Sequence, residues 1–218
     1  MRLAYIITVI VVGTAFGICF TSCVDSDDYA IPPVPSTGFF KETFNKVTKA
    51  EGEAIVTSPW PKISMVSNFD GEVEGVLYSD KFGMIDVRRL NGTSDIAKKE
   101  LFLWFPSGRE SSLTIDNINL GKRRKLVLRY NFNANIYNSD EKSNTNKLKV
   151  KFNGVDLPVP DIELNAFNNR NKYQGVLIRI PDEILKEISN MEFISNAESN
   201  DRGFRIDDIE LLDDYPYE

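Results

Sequence analysis

Histidine is absent from this 218-residue chain, and its two cysteines, Cys19 and Cys23, both lie in the first two dozen residues. Past residue 23 there is neither imidazole nor thiol, so Ser-His-Asp and Cys-His nucleophilic devices have no parts to be built from. Zinc centres made of His and Cys, and haem or iron-sulfur ligation through those side chains, are excluded with them. No disulfide can staple the body of the chain, which leaves its hydrophobic core to provide the stability. Positive charge is also in the minority, with 26 Lys and Arg against 32 Asp and Glu for a net charge of −6. That balance disfavours nucleic acid and anionic lipid surfaces as partners. There is no internal repeat, and the long uncharged apolar run is Leu3 to Phe20.

That run follows a single charge at Arg2, contains Gly13, Thr14 and Gly17, and ends in Phe20-Thr21-Ser22-Cys23. A charged head, an apolar middle and small residues before a cleavage point are the parts of an export signal. The ending resembles the lipobox of bacterial lipoprotein precursors, with Phe20 where leucine is usual. The resemblance implies a signal peptide over residues 1–22, cleavage after Ser22, and acylation of Cys23 by palmitate-type chains. Each buried CH₂ of such chains contributes about 0.8 kcal/mol, so several together hold a bilayer stably. The competing reading is an uncleaved transmembrane anchor, since the run is just long enough to span hydrocarbon. The internal glycines, the weak leading charge and the lack of a Lys or Arg cluster behind the run oppose it. Asp25, Ser26, Asp27 and Asp28 follow, resembling the export signal of surface lipoproteins of Bacteroidota and implying the exterior face of the outer membrane. The plain alternative is a solvated linker. Pro32, Pro33 and Pro35 favour extended polyproline geometry, so residues 23–38 read as an acidic, Pro-rich tether.

Residues 39–218 fit one domain by length. They read as β-branched and aromatic runs separated by Gly, Asn, Asp and Pro, which predicts an all-β, two-sheet antiparallel sandwich. The clearest local signal is Asn153-Gly154 between Leu148-Lys149-Val150-Lys151-Phe152 and Val155-Asp156-Leu157. Asn-Gly accommodates the positive φ angles of a tight hairpin, and alternation turns Leu148, Val150 and Phe152 inward. Helical spacing is confined to Pro181–Ser189, where Ile184, Leu185 and Ile188 predict one short helix.

The closing run, Phe204-Arg205-Ile206-Asp207-Asp208-Ile209-Glu210-Leu211, resembles the last strand of jelly-roll sandwiches in the galactose-binding-like and carbohydrate-binding-module group. The opening run Phe39-Phe40-Lys41-Glu42-Thr43-Phe44 matches their first strand. The resemblance implies that first and last strands lie side by side and that Glu42 and Asp207, with Asp208 as substitute, hold a structural calcium ion. Period-two alternation places Asp207 on the face of Ile209 and Leu211, pointing inward, where an unpaired carboxylate is costly and a cation would relieve it. The alternative is pairing of Asp207 with Arg205 or Arg202. No cofactor is required.

A glycan site needs exposed aromatic planes beside polar groups. Trp60, in Ser58-Pro59-Trp60-Pro61, is the leading candidate, because flanking prolines forbid a central strand and stiffen a loop. Folding back over the core end is its alternative. Tyr78 is a second ligand candidate, with Tyr137 and Tyr173 behind it, whereas Trp104 in Leu101-Phe102-Leu103-Trp104-Phe105 reads as core. Lys122-Arg123-Arg124-Lys125 reads as a solvated turn, with contact to an acidic glycan as its alternative, and Asn91-Gly92-Thr93 likewise reads as a turn. Three functions follow: a non-catalytic, surface-tethered carbohydrate-binding lipoprotein; a structural or adhesive protein whose partners are other envelope proteins; or a glycoside hydrolase using two carboxylates drawn from Asp86, Glu100, Glu110 and Asp116. The first is the expectation, with the membrane as a partner through the anchor and no enzymatic activity.

Overall fold

The computed structural model describes residues 38–71, 75–90, 100–169 and 172–213. Cys23, the signal peptide, the tether through residue 37 and Asn91-Gly92-Thr93 lie outside them. Strands run in the order β1 (Gly38–Glu42), β2 (Thr48–Lys49), β3 (Val66–Ser67), β4 (Leu77–Asp80), β5 (Asp86–Arg89), β6 (Leu101–Phe105), β7 (Ser111–Asn119) and β8 (Leu126–Ala134). They continue as β9 (Lys142–Asn144), β10 (Leu148–Phe152), β11 (Val155–Asp156), β12 (Glu163–Asn165), β13 (Gln174–Ile180), β14 (Ile188–Ser195) and β15 (Phe204–Asp213).

Two antiparallel sheets carry the fold. The first has the order β13-β8-β15-β6-β5, with β1 joining β15, and the second the order β11-β10-β14-β7-β4. The first and last strands do lie side by side, through pairs such as Lys41 with Glu210 and Glu42 with Ile209. Alternation fills the interior: Leu126, Leu128, Tyr130 and Phe132 of β8 face Leu113, Ile115, Met191 and Phe193 of the opposing sheet within one buried cluster. The Tyr130 and Phe193 rings meet edge-on at 5.2 Å. The Asn153-Gly154 hairpin forms as expected, with φ of 50° and 82°, and Leu148, Val150 and Phe152 are buried. Arg123, in the basic turn, lies over the Phe39 ring at 4.4 Å, while Lys122, Arg124 and Lys125 face solvent.

The expected helix over Pro181–Ser189 is replaced by a 3-10 turn, Asp182–Ile184. Ile184 and Leu185 close it by donating to the Pro181 and Asp182 carbonyls. Beyond it Ile188 is already paired with Asn119 of β7, so the sheet claims the residues a longer helix would need.

A second departure falls in β15. Asp207 pairs with Asn131 and Glu210 with Arg129, so two residues, Asp208 and Ile209, stand against one, Tyr130, and Asp208 takes a φ of 47°. This bulge resets the alternation. Ile206 and Ile209 both face the core, and Asp207 joins Asn131 on the outer face of the first sheet. The inward placement expected for Asp207 is therefore corrected.

Candidate functional site

Trp60 belongs to a segment that runs along the free edge of β5. Lys62 bridges to Asp86, and the Val87 amide donates to the Pro61 carbonyl at 2.9 Å. Pro59 and Pro61 have no amide proton to offer a further strand, so this edge ends here. The Trp60 indole is half-buried against the core and lines an open cleft of about 750 Å³ with Lys49, Glu53, Pro59, Lys62 and Met65. Met65 is 59% exposed and Lys49 pairs with Glu53 at 3.1 Å, giving an apolar floor with a charged rim. Both readings of Trp60 hold in part: it covers the core end and presents a surface.

The Trp60 cleft adjoins a row of side chains across the outer face of the first sheet. Register places Lys62, Asp86, Trp104, Arg205 and Asn133 opposite one another on successive strands. Arg88 stacks over the Trp104 ring at 4.7 Å and Arg205 lies 6.0 Å from it. Lys62 and Arg88 both bind the Asp86 carboxylate, at 2.6 and 2.5 Å. Trp104 is thus an outer-face residue, correcting its reading as core. The signal was present in the sequence: alternation separates Phe102 and Trp104 from Leu101, Leu103 and Phe105, but a run apolar on both faces hides it.

Tyr78 and Glu42 meet elsewhere. Glu42 is fully buried on the inner side of β1, its Oε1 accepting from the Phe44 amide at 2.5 Å and its Oε2 from the Gly71 amide and the Tyr78 hydroxyl, both at 2.9 Å. The Tyr78 ring stacks on Phe69 at 3.9 Å. Tyr78 therefore serves this buried carboxylate and has no part in the Trp60 cleft. Burial pushes the Glu42 pKa up, with the three hydrogen bonds pulling against it. Glu42→Gln puts an amide NH₂ against a donor and should cost about 1–3 kcal/mol in a urea titration. An unchanged midpoint would show that this network does not stabilise the fold.

The shared calcium site of Glu42 and Asp207 is not formed. The two carboxyls lie on opposite faces of the sheet, and both Glu42 oxygens are engaged by protein donors. Among the described residues no three acidic side chains converge as metal ligands. Asp207, 2% exposed, instead hydrogen-bonds Glu100 and accepts from the Asp208 amide at 2.8 Å, while Asn131 donates to the Asp208 carboxylate at 2.8 Å. Burial, then the Asp208 charge, push the Asp207 pKa to about 9, so it holds its proton at neutral pH. Burial likewise raises Glu100 and the hydroxyl of Tyr173, which has no hydrogen-bond partner among the described residues. Asp207 pairs with neither Arg205 nor Arg202, whose partner is Glu141 at 2.7 Å.

The remaining hydrolase candidates are dispersed. Asp86 lies between two cations, Glu110 accepts from the Ala197 amide at 2.9 Å, and Asp116 pairs with Leu77 in the second sheet.

Fold and face together define a two-sheet antiparallel β-sandwich with an aromatic and charged outer surface. No family model matches the chain, and no curated protein matches it. Among solved structures it is similar to a family 35 carbohydrate-binding module (CBM35) from Paenibacillus barcinonensis, with 11% identity, TM-score 0.42, and coverage of 64% of this chain and 93% of that one. It is also similar to the CBM22-1 xylan-binding domain of Xyn10C from the same organism, with 9% identity, TM-score 0.43 and coverage of 83% and 97%. A family 35 module from Clostridium thermocellum gives 8% identity, TM-score 0.41 and coverage of 65% and 94%.

Proposed function

We propose that this chain is a non-catalytic glycan-binding domain, held at the outer surface of the outer membrane by acyl chains on Cys23. The observation that carries the reading is the Trp60 indole on the floor of an open cleft with charged groups on its rim. An indole face offers the apolar side of a pyranose a flat, low-entropy contact, and the rim groups can hydrogen-bond its hydroxyls. The cleft volume of about 750 Å³ falls within the range of small-ligand sites. Trp60→Ala should weaken retention on a polysaccharide panel about thirtyfold, as expected for removing an aromatic anchor worth about 2 kcal/mol. Equal retention of both forms would refute the role of Trp60. The exposed Met65 on the cleft wall favours a second reading, an adhesive protein contact. Recovery of an envelope protein in a Trp60-dependent pull-down, with no polysaccharide retained, would select it.

A further inference from the structure

Of the three cations on the outer-face row, Lys62 and Arg88 share the Asp86 carboxylate, and Arg205 has no carboxylate partner among the described residues. Its Nη2 donates to Asn135 Oδ1 at 3.2 Å, and its Nε is buried without an acceptor among the described residues. The guanidinium lies over Phe102 at 5.2 Å, beside Trp104, which fixes its plane. It lines a cavity of about 180 Å³ with Asn133, Asn135, Tyr137 and Asn169.

The cavity wall is rigid. Asn133 Nδ2 donates to the carbonyls of Asn169 and Lys172 at 2.7 and 2.6 Å. Asn169 Nδ2 donates to the Ala134 carbonyl at 2.5 Å, and its Oδ1 accepts from the Ala134 amide at 3.0 Å. These amides are neutral, and Tyr137, 67% exposed, stands at the mouth. Arg205 is therefore the one formal charge among the described residues of the lining. The next acidic group along its strand face, Asp207, holds a proton and bonds Glu100, so it does not serve as counter-ion. A guanidinium presents N–H donors in a planar fork that matches carboxylate and sulfate oxygens, and a buried donor left unpaired gains most from such an acceptor. The volume is below that of a drug-sized pocket and suits one small acidic group. Four strand spacings of about 4.8 Å separate Lys62 from Asn133, so the row is roughly 19 Å long and several sugar units would cross it.

We propose that the Arg205 cavity is an anion subsite, taking the carboxylate of a uronic acid or the sulfate ester of a polysaccharide whose neighbouring units lie along the Trp104 row. This rests on the glycan-binding reading and names the class of glycan.

The test uses the full chain in detergent and four immobilised polymers: a polyuronate, its carboxyl-reduced form, a sulfated galactan and its desulfated form. The acidic member of one pair should bind at least tenfold tighter than its neutral counterpart, and which pair does so separates carboxylate from sulfate. Arg205→Gln should bring the acidic polymer down to the neutral one, and Arg205→Lys, which keeps charge but loses the fork, should restore part of the difference. Should Arg205→Gln melt early, Asn135→Asp supplies an internal counter-ion with the guanidinium in place and should abolish the preference. Equal binding within both pairs, or a preference that survives Arg205→Gln and Asn135→Asp, overturns the subsite. If Trp60-dependent retention persists without any charge preference, the subsite alone falls. If no polymer is retained, the glycan reading falls and takes the subsite with it.

Discussion

Asp207→Asn should flatten a decline in stability that the unsubstituted protein shows between pH 5 and pH 9. The folded-state pKa of Asp207 is about 9, raised from 3.8, so across that window the folded chain holds a proton that the unfolded chain has released. Stability then falls with rising pH, by up to about 1.4 kcal/mol per unit, and levels off above the folded value. Glu100, raised by burial and by Asp208, adds to the same trend. Asparagine copies the protonated acid: its oxygen can accept from the Asp208 amide and its NH₂ can donate to Glu100. Urea midpoints at pH 5, 7 and 9 should therefore converge in the variant and diverge in the parent. Parallel profiles for the two proteins would mean that Asp207 is ionised in the fold.

Gly203→Ala should be the most damaging single methyl added to the outer face, about 2–4 kcal/mol, from overpacking and a left-handed backbone together. Gly203 has a φ of 79°, and a Cβ there would overlap Cη2 and Cζ2 of Trp104. Neither side can yield easily. Arg88 covers the indole at 4.7 Å, the Gly203 amide donates to Asn200 Oδ1 at 2.7 Å, and the Gly203 carbonyl accepts from the Asn135 amide at 3.0 Å. For a domain of this size that loss corresponds to roughly 5–15 °C in melting temperature, readable by calorimetry, with a shift in tryptophan emission. A melting point equal to the parent's would show that the Trp104 ring turns aside freely and that the row is not a rigid platform.

Much of the fold was legible in the sequence because its signals are local. Asn153-Gly154 dictates a hairpin by backbone preference alone, and Leu148, Val150 and Phe152 declare their face by alternation. The pairing of the first and last strands came through a resemblance at Phe39–Phe44 and Phe204–Leu211. What was hidden depends on partners distant in the chain. The extra residue at Asp207-Asp208 shows only against Asn131 and Arg129, and without it the alternation points Asp207 the wrong way. Trp104 sits in a strand apolar on both faces, so its outward position emerges only beside Arg88 and Arg205. Tyr78 is occupied by Glu42, 36 residues earlier, a partner that its own neighbours do not reveal. That Trp60 stands outside a central strand was readable because its prolines act on their own neighbours.

The last of the described strands to leave the ribosome, β15, lies at the middle of the first sheet, with β8 on one flank and β6 and β1 on the other. Until it is synthesised, those three lack the neighbour that joins them, and Phe204, Ile206, Ile209 and Leu211 are missing from the interior. Contacts this distant in sequence close late. The sandwich therefore cannot lock until β15 itself has emerged, which makes closure of this domain a late, concerted event rather than a strand-by-strand one.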